Sequence, residues 1–157
     1  HAGEQVVMVA LVGVLDAPGR SEPWRAIRDR GARRNGAPVT VSGRTIFSGA
    51  RVPADRVPQV DSDLMPVHKP NGIALRVAMV AAGEADLVAS LRWGNEWDIA
   101  AAALIVSEAG GIITDALGQP IRFNAFPPRA YGVLAATPGI HAAAVSRLRP
   151  RAESAIG

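Results

Sequence analysis

The sequence predicts an α/β fold, a layered α-β-α sandwich around a mixed sheet. Three observations predict it. Aliphatic and β-branched runs such as "VVMVALVGVL" (residues 6–15) and "YGVLAATP" (residues 131–138) read as buried strands. Apolar residues recur at helical spacing in residues 71–86, and residues 98–109 form a long apolar helix that two glycines stop. Strands and helices then alternate through the second half of the chain, the pattern of a sheet covered by helices.

Each element has its local signal. The run at residues 6–15 falls short of the roughly 18 apolar residues that span a bilayer, and no basic segment precedes it. It therefore reads as a strand and not a leader. "DAPGRSEP" breaks it. "WRAIRD" and "GARRNGAPVTVSG" give short strands joined by glycine turns, with Asn35 and Gly36 as a hairpin signal. "RTIFSGA" (residues 44–50) reads as another short strand. Pro53, Pro58, Pro66 and Pro70 make residues 51–70 an irregular connection with one short helical turn. In residues 71–86, Ile73, Val77 and Val80 lie on one helix face and Gly83 ends the helix. "DLVASLR" is a strand, the helix of residues 98–109 follows, and Gly110 and Gly111 stop it. "GIITDALGQPIRF" gives strand, turn and strand. "IHAAAVSRL" is a closing amphipathic helix that His141 begins. Residues 1–149 form one domain, and residues 150–157 read as a disordered tail.

Composition bounds the chemistry. The chain has 157 residues, 48% hydrophobic and only 4% aromatic, so Ala, Val, Ile and Leu must build the core. It has no Cys, which excludes disulfides, thiolate zinc sites and cysteine nucleophiles and fits a cytoplasmic protein. The net charge is +3, and every basic residue except Lys69 is Arg. A surplus of Arg suits small anionic phosphate partners. The one dense basic cluster, "RDRGARR", reads as a turn without interleaved aromatics, so no nucleic-acid polymer is expected, and no membrane partner either.

The sequence contains no G-x-S-x-G elbow, no Walker loop and no G-x-G-x-x-G. Two places remain. "KPNG" puts Lys69, Asn71 and Gly72 just before a helix, where free N–H groups and a cation suit an anion. "NEWD" puts Glu96 and Asp98 at the start of the next helix. An Asp there either accepts a backbone N–H or ligates a metal, and a metal would need further oxygen donors. Asp61 and Asp63 are a possible further pair of donors, although no pattern marks them as ligands.

The segments "ALRVAMVAAGEAD", "WDIAAA", "EAGG", "TD", "G" and "FN" follow one another across residues 71–124. In that order they resemble the C-terminal half of the inositol-monophosphatase-like superfamily, and the likeness extends over about residues 6–148. "SLRWGNEWDIAAA" is most similar to the bacterial 3′(2′),5′-bisphosphate nucleotidase branch. The resemblance implies a Mg²⁺-dependent phosphomonoesterase that converts adenosine 3′,5′-bisphosphate, a by-product of sulfate assimilation, to AMP and phosphate. It implies Asp98 as catalytic residue and metal ligand, with Lys69, Asn71, Gly72 and Glu96 in the substrate pocket. Inositol or sugar monophosphates are the alternative substrates. The family's D-P-x-D-G-T motif, which supplies most metal ligands, is absent, and Asn71 and Gly72 stand where relatives carry Gly-Ser. A non-catalytic half that binds anions or a partner chain is therefore the other expectation, and an apolar edge would favour a homodimer.

Overall fold

Asn35 and Gly36 set a tight turn of the chain, at φ values of 50° and 79°. Positive φ at both central residues makes a tight hairpin whose twist matches its strands. It joins β3 (Ala32–Arg34) to β4 (Ala37–Val39). A longer hairpin, β1 (Val9–Ala17) and β2 (Arg20–Ile27), pairs with them to give an antiparallel sheet in the order β1-β2-β3-β4. The computed structural model describes the backbone of residues 9–17, 20–121 and 129–156, and the side chains of residues 24–91, 99–121 and 132–155.

The strand expected at residues 44–50 does not form. Arg44 explains why. Its Nε donates to the Ile46 carbonyl at 2.7 Å and its guanidinium to the Ser48 carbonyl at 2.5 Å. Ala50 N–H donates to the Phe47 carbonyl at 3.0 Å. The carbonyls a ladder would use are taken locally, so the segment turns instead. The proline-rich connection does behave as expected. It holds a short parallel pair, β5 (Arg51–Pro53) and β6 (Met65–Val67), separated by one 3₁₀ turn at Gln59–Asp61.

Helix α1 (Ile73–Ala81) buries Val77, Ala78, Val80 and Ala81, and Gly83 follows at φ 73°. Strand β7 (Leu87–Asn95) returns along it and runs without a loop into α2 (Glu96–Glu108). Next come β8 (Ile112–Thr114), β9 (Arg129–Ala136) and α3 (Pro138–Ile156). The strand expected at "IRF" falls largely within residues 122–128, outside the described residues. The antiparallel order β7-β9-β8 puts β9 in the centre. Gly132 sits at φ 66° in β9, opposite the irregularity between Ser90 and Trp93, where a Cβ would run into the Ser90 carbonyl.

Residues 150–156 are not a disordered tail but the end of α3. Pro150 has no N–H to offer the preceding turn and would break an isolated helix. Tertiary contacts carry α3 across it: Ala152 is fully buried against Ala116, and Arg151 forks onto Asp61 at 2.8 and 3.0 Å.

Period-two alternation assigns the layers. Val88, Val133 and Ala135 face α1, α2 and the residues Trp24, Ala26 and Ala32 of the four-stranded sheet. Leu87, Leu134 and Ala136 face the opposite way, toward Ile140, Ala144 and Leu148 of α3. The order of layers is sheet, α1 with α2, sheet, α3. The two helical layers flank the β7-β9-β8 sheet as the expected α-β-α sandwich, and the β5-β6 pair abuts it at β7 to make that layer mixed. Gly111 lets α2 close on the chain at Val41: a Cβ there would stand 3.1 Å from Val41 and 3.2 Å from the Val106 carbonyl. Among the described residues, no helix is long and apolar enough to cross a membrane.

One buried carboxylate ties the layers together. Asp86 is 1% exposed. Arg51 donates to it from its backbone N–H at 2.8 Å and from two guanidinium nitrogens at 3.0 and 2.9 Å. Ser42 Oγ donates at 2.5 Å. Burial disfavours the charge, but the bonds from Arg51 and Ser42 outweigh it and lower the carboxyl from 3.8 to about 2. A folded pKa below the unfolded one gives stability that is complete above the unfolded value and lost as pH falls toward 2. The shift corresponds to roughly 2 kcal/mol. Acid titration of chemical denaturation should show this loss between about pH 5 and pH 2, and Asp86→Asn should flatten that limb while lowering stability at neutral pH. An unchanged acid limb in the variant would contradict this.

Candidate functional site

The register of the sheet fixes the direction of both central helices. Leu87 of β7 and Ile112 of β8 pair with the same residue, Ala136, so both strands start at one level. Helix α1 ends just before β7, and α2 ends just before β8. The two helices pack on each other and run parallel, with their N-termini at the same end of the molecule. "KPNG" and "NEWD", 26 residues apart by their first letters, thus come to one end of one layer.

The backbone at that end carries partial positive charge. The first N–H groups of each helix have no partner within the helix, and the peptide dipoles add there. Gly72 caps α1 at φ 90° and ψ 130° with no side-chain bond to the helix. A Cβ at Gly72 would meet nothing within 4 Å, so the approach to the free N–H groups is open. Helix α2 starts at Glu96, two residues before the expected start, which puts Asp98 inside the first turn. The side chains of Glu96 and Asp98 lie outside the described residues.

Lys69 has a carboxylate partner. Its ammonium lies 3.6 Å from Asp55, and it lines a cavity shared with α3. Asn71 and Gly72 are exposed beside it in sequence. The five predicted residues share an end by backbone position, and Lys69, with Arg76 of the first turn of α1, lines a cavity that reaches α3.

A Mg²⁺ ion prefers six oxygen ligands, several of them carboxylates. Among the described residues no group of three or more Asp, Glu or His is placed to hold a metal. Asp61 and Asp63 are not free to be recruited. Arg151 forks onto Asp61, and Arg147 forks onto Asp63 at 3.0 Å through both nitrogens while reaching Asp61 at 3.4 Å. The Arg147 bond holds the Asp63 carboxyl below its ordinary range. Glu108, in "EAGG", accepts the Gly31 N–H at 2.9 Å. Asp115, in "TD", accepts the Leu117 and Gln119 N–H groups at 2.9 Å and closes a turn. His141 lies inside the first turn of α3, 3.0 Å from the Thr114 hydroxyl, and burial lowers its pKa. These motif residues brace the frame around the site.

The arginine partners of Asp61, Asp63 and Asp86 lie 35 to 90 residues away in sequence. No local spacing marks them. The one usable signal is the excess of Arg over Lys, since a planar fork is the group that pairs buried carboxylates.

The sequence model of the inositol monophosphatase family matches residues 3–154. This chain belongs to that family. It is 32% identical over 130 residues to inositol monophosphatase 2 of Solanum lycopersicum, covering 73% of this chain and 49% of that protein. It is 36% identical over 123 residues to the Nus factor SuhB of Pseudomonas aeruginosa, covering 68% and 44%. The chain thus spans about half the length of the curated relatives it matches. The inositol monophosphatase of Anabaena superposes with a TM-score of 0.71 at 24% identity, over 90% of this chain and 59% of that one. The inositol monophosphatase fold is therefore shown on the structure as well as on the sequence.

For this family member, Asp61 is a structural partner and not a metal ligand. Asp61→Asn should lower the melting temperature, because Arg151 loses a carboxylate that is 5% exposed. It should leave Mg²⁺ uptake by the intact chain unchanged in a calorimetric titration. Loss of Mg²⁺ uptake with an intact fold would reverse the assignment.

Proposed function

We propose that this chain forms the phosphate-facing wall of a Mg²⁺-dependent phosphomonoesterase site, with Asp98 as its contribution to the metal. The observation that supports this reading most is the parallel pair α1 and α2, which brings residues 71–72 and 96–98 to one end. Backbone N–H groups at Gly72 and in the first turn of α2 would hold the phosphoryl oxygens by charge-assisted bonds. Asn71 would bond the leaving group or the phosphate, and Glu96 would accept a substrate hydroxyl. Gly72, without a Cβ, lets the substrate approach the α1 N-terminus, and its Gly-Ser counterpart in relatives would add a hydroxyl that this chain lacks. Lys69, paired with Asp55, would contribute only by swinging away from that partner. A bound divalent ion would activate water and neutralise phosphoryl charge. The described residues do not build its cage, and the remaining carboxylates must come from beyond them.

Small phosphomonoesters are the substrate class. The "SLRWGNEWDIAAA" pattern supports adenosine 3′,5′-bisphosphate. The names of the relatives support inositol monophosphate or another sugar phosphate equally. A second reading rests on a separate observation: with D-P-x-D-G absent and the buried carboxylates already paired, the chain would bind phosphate or a partner chain without turnover.

Phosphate release from adenosine 3′,5′-bisphosphate and from inositol 1-phosphate, with and without Mg²⁺, tests the proposal. The expected result is Mg²⁺-dependent release that Asp98→Asn reduces by at least about 100-fold, with the fold retained by circular dichroism. No release by the intact chain at any Mg²⁺ concentration would leave the second reading.

A further inference from the structure

The α3 side of the central sheet holds a cavity of about 550 Å³. That is within the usual size range of small-molecule sites. Its floor is apolar: Val52, Leu64, Leu87, Ala89 and Leu148 line it. Its charged lining is lopsided. Arg147 and Arg151, on the α3 wall, are already neutralised by Asp63 and Asp61. The opposite wall carries three cations, Arg56, Lys69 and Arg76, against one carboxylate, Asp55.

These three cations are poorly compensated. Arg56 makes no ion pair or hydrogen bond with any described residue. Lys69 has one partner at 3.6 Å, Asp55, which is itself 85% exposed. Arg76 donates its Nε to the Pro70 carbonyl at 3.0 Å, which fixes the side chain while leaving both terminal nitrogens unused among the described residues. Three like charges around one apolar hollow repel each other and draw in an anion. An anchored guanidinium with its outer edge free is suited to grip two phosphate oxygens at once, and an ammonium and a second guanidinium can take the third.

We infer that this cavity binds a small phosphorylated ligand, its phosphate on Arg56, Lys69 and Arg76 and an apolar or planar body on the Leu64–Leu87 floor. The apolar floor lies away from the helix N-termini, and Arg76 reaches the cavity from the first turn of α1. Leu87 faces α3, on the opposite face of the sheet from α1 and α2. The cavity also gives a role to Lys69, which the sequence placed with Asn71 and Gly72. The inference does not depend on the chain being an active phosphatase.

Calorimetric titration of the intact chain in EDTA with phenyl phosphate and with inorganic phosphate tests it, since without divalent metal no turnover is expected. Both probes should bind saturably, phenyl phosphate about tenfold more tightly because the floor covers its ring. Arg56→Ala with Arg76→Ala should weaken phenyl phosphate by at least about tenfold. Asp98→Asn should leave it unchanged. Arg56→Ala alone removes a side chain with no described partner and so keeps the fold; it should weaken binding by at least about threefold and carries the test if the double variant unfolds. The proposal fails if the intact chain shows no saturable binding, or if the Arg56 variant binds as tightly as the parent. It fails also if Asp98→Asn abolishes binding, which would put the probe at the start of α2. Equal affinity for the two probes would overturn the assignment of the ring to the floor. Failure of phosphate release with Mg²⁺ leaves all of these outcomes as they stand.

Discussion

The carboxylate of Asp86 is the constraint on which the arrangement of layers depends. It sits at the turn between α1 and β7 and accepts bonds from Ser42, in the irregular chain after β4, and from Arg51, the first residue of β5. Its own N–H donates to the Arg51 carbonyl, and its carbonyl accepts from Thr137 at the end of β9. Arg51 also reaches the Gly83 carbonyl at the end of α1, at 2.8 Å. One side chain therefore fixes how α1, β5, β7 and β9 meet. A charge at 1% exposure is costly unless it is fully bonded, and here every lone pair faces a donor. The dense bonding makes the turn rigid, and the turn decides where β7 begins and so how far it runs before α2 starts.

That placement is what makes a phosphate wall possible. If β7 and β8 did not start at one level, α1 and α2 would not end together, and their N-termini would not lie at a common end. The arginine clamps act on the other side of the same sheet. Arg147 stacks over Phe47 at 4.8 Å while holding Asp63, and Arg151 holds Asp61, so α3 is pinned to the 3₁₀ turn of the connection. The two faces of the sheet thus have different electrostatic characters. One offers backbone N–H groups at helix starts, and the other offers guanidinium and ammonium groups over an apolar floor.

Most of the fold was legible because its signals are local. The Asn35–Gly36 hairpin, the Gly83 and Gly110 helix stops and the alternation in β7 and β9 follow from backbone preference and period. The failures share a cause. Residues 44–50 look like a strand until Arg44 caps their carbonyls, and residues 150–156 look like a tail until Ala152 is buried and Arg151 finds Asp61. Both outcomes were decided by a particular side chain meeting a particular partner. The candidate site divides in the same way. The motif letters locate the helix starts, whereas the turn of Lys69 toward Asp55 depends on a loop with no periodic signal.

The central position of β9 has a consequence for how the chain comes to be folded. Among the described strands β7 and β8 do not pair with each other, and each is hydrogen-bonded to β9, which lies more than thirty residues after β7. Until residues 129–136 are in place, neither strand has a hydrogen-bonded neighbour in that sheet, and the apolar sides of α1 and α2 lack one of the surfaces that cover them. Closure of so long a loop is slow relative to helix formation. A ribosome-bound or truncated chain that stops before β9 would therefore expose alanine- and valine-rich helix surface and two open strand edges together.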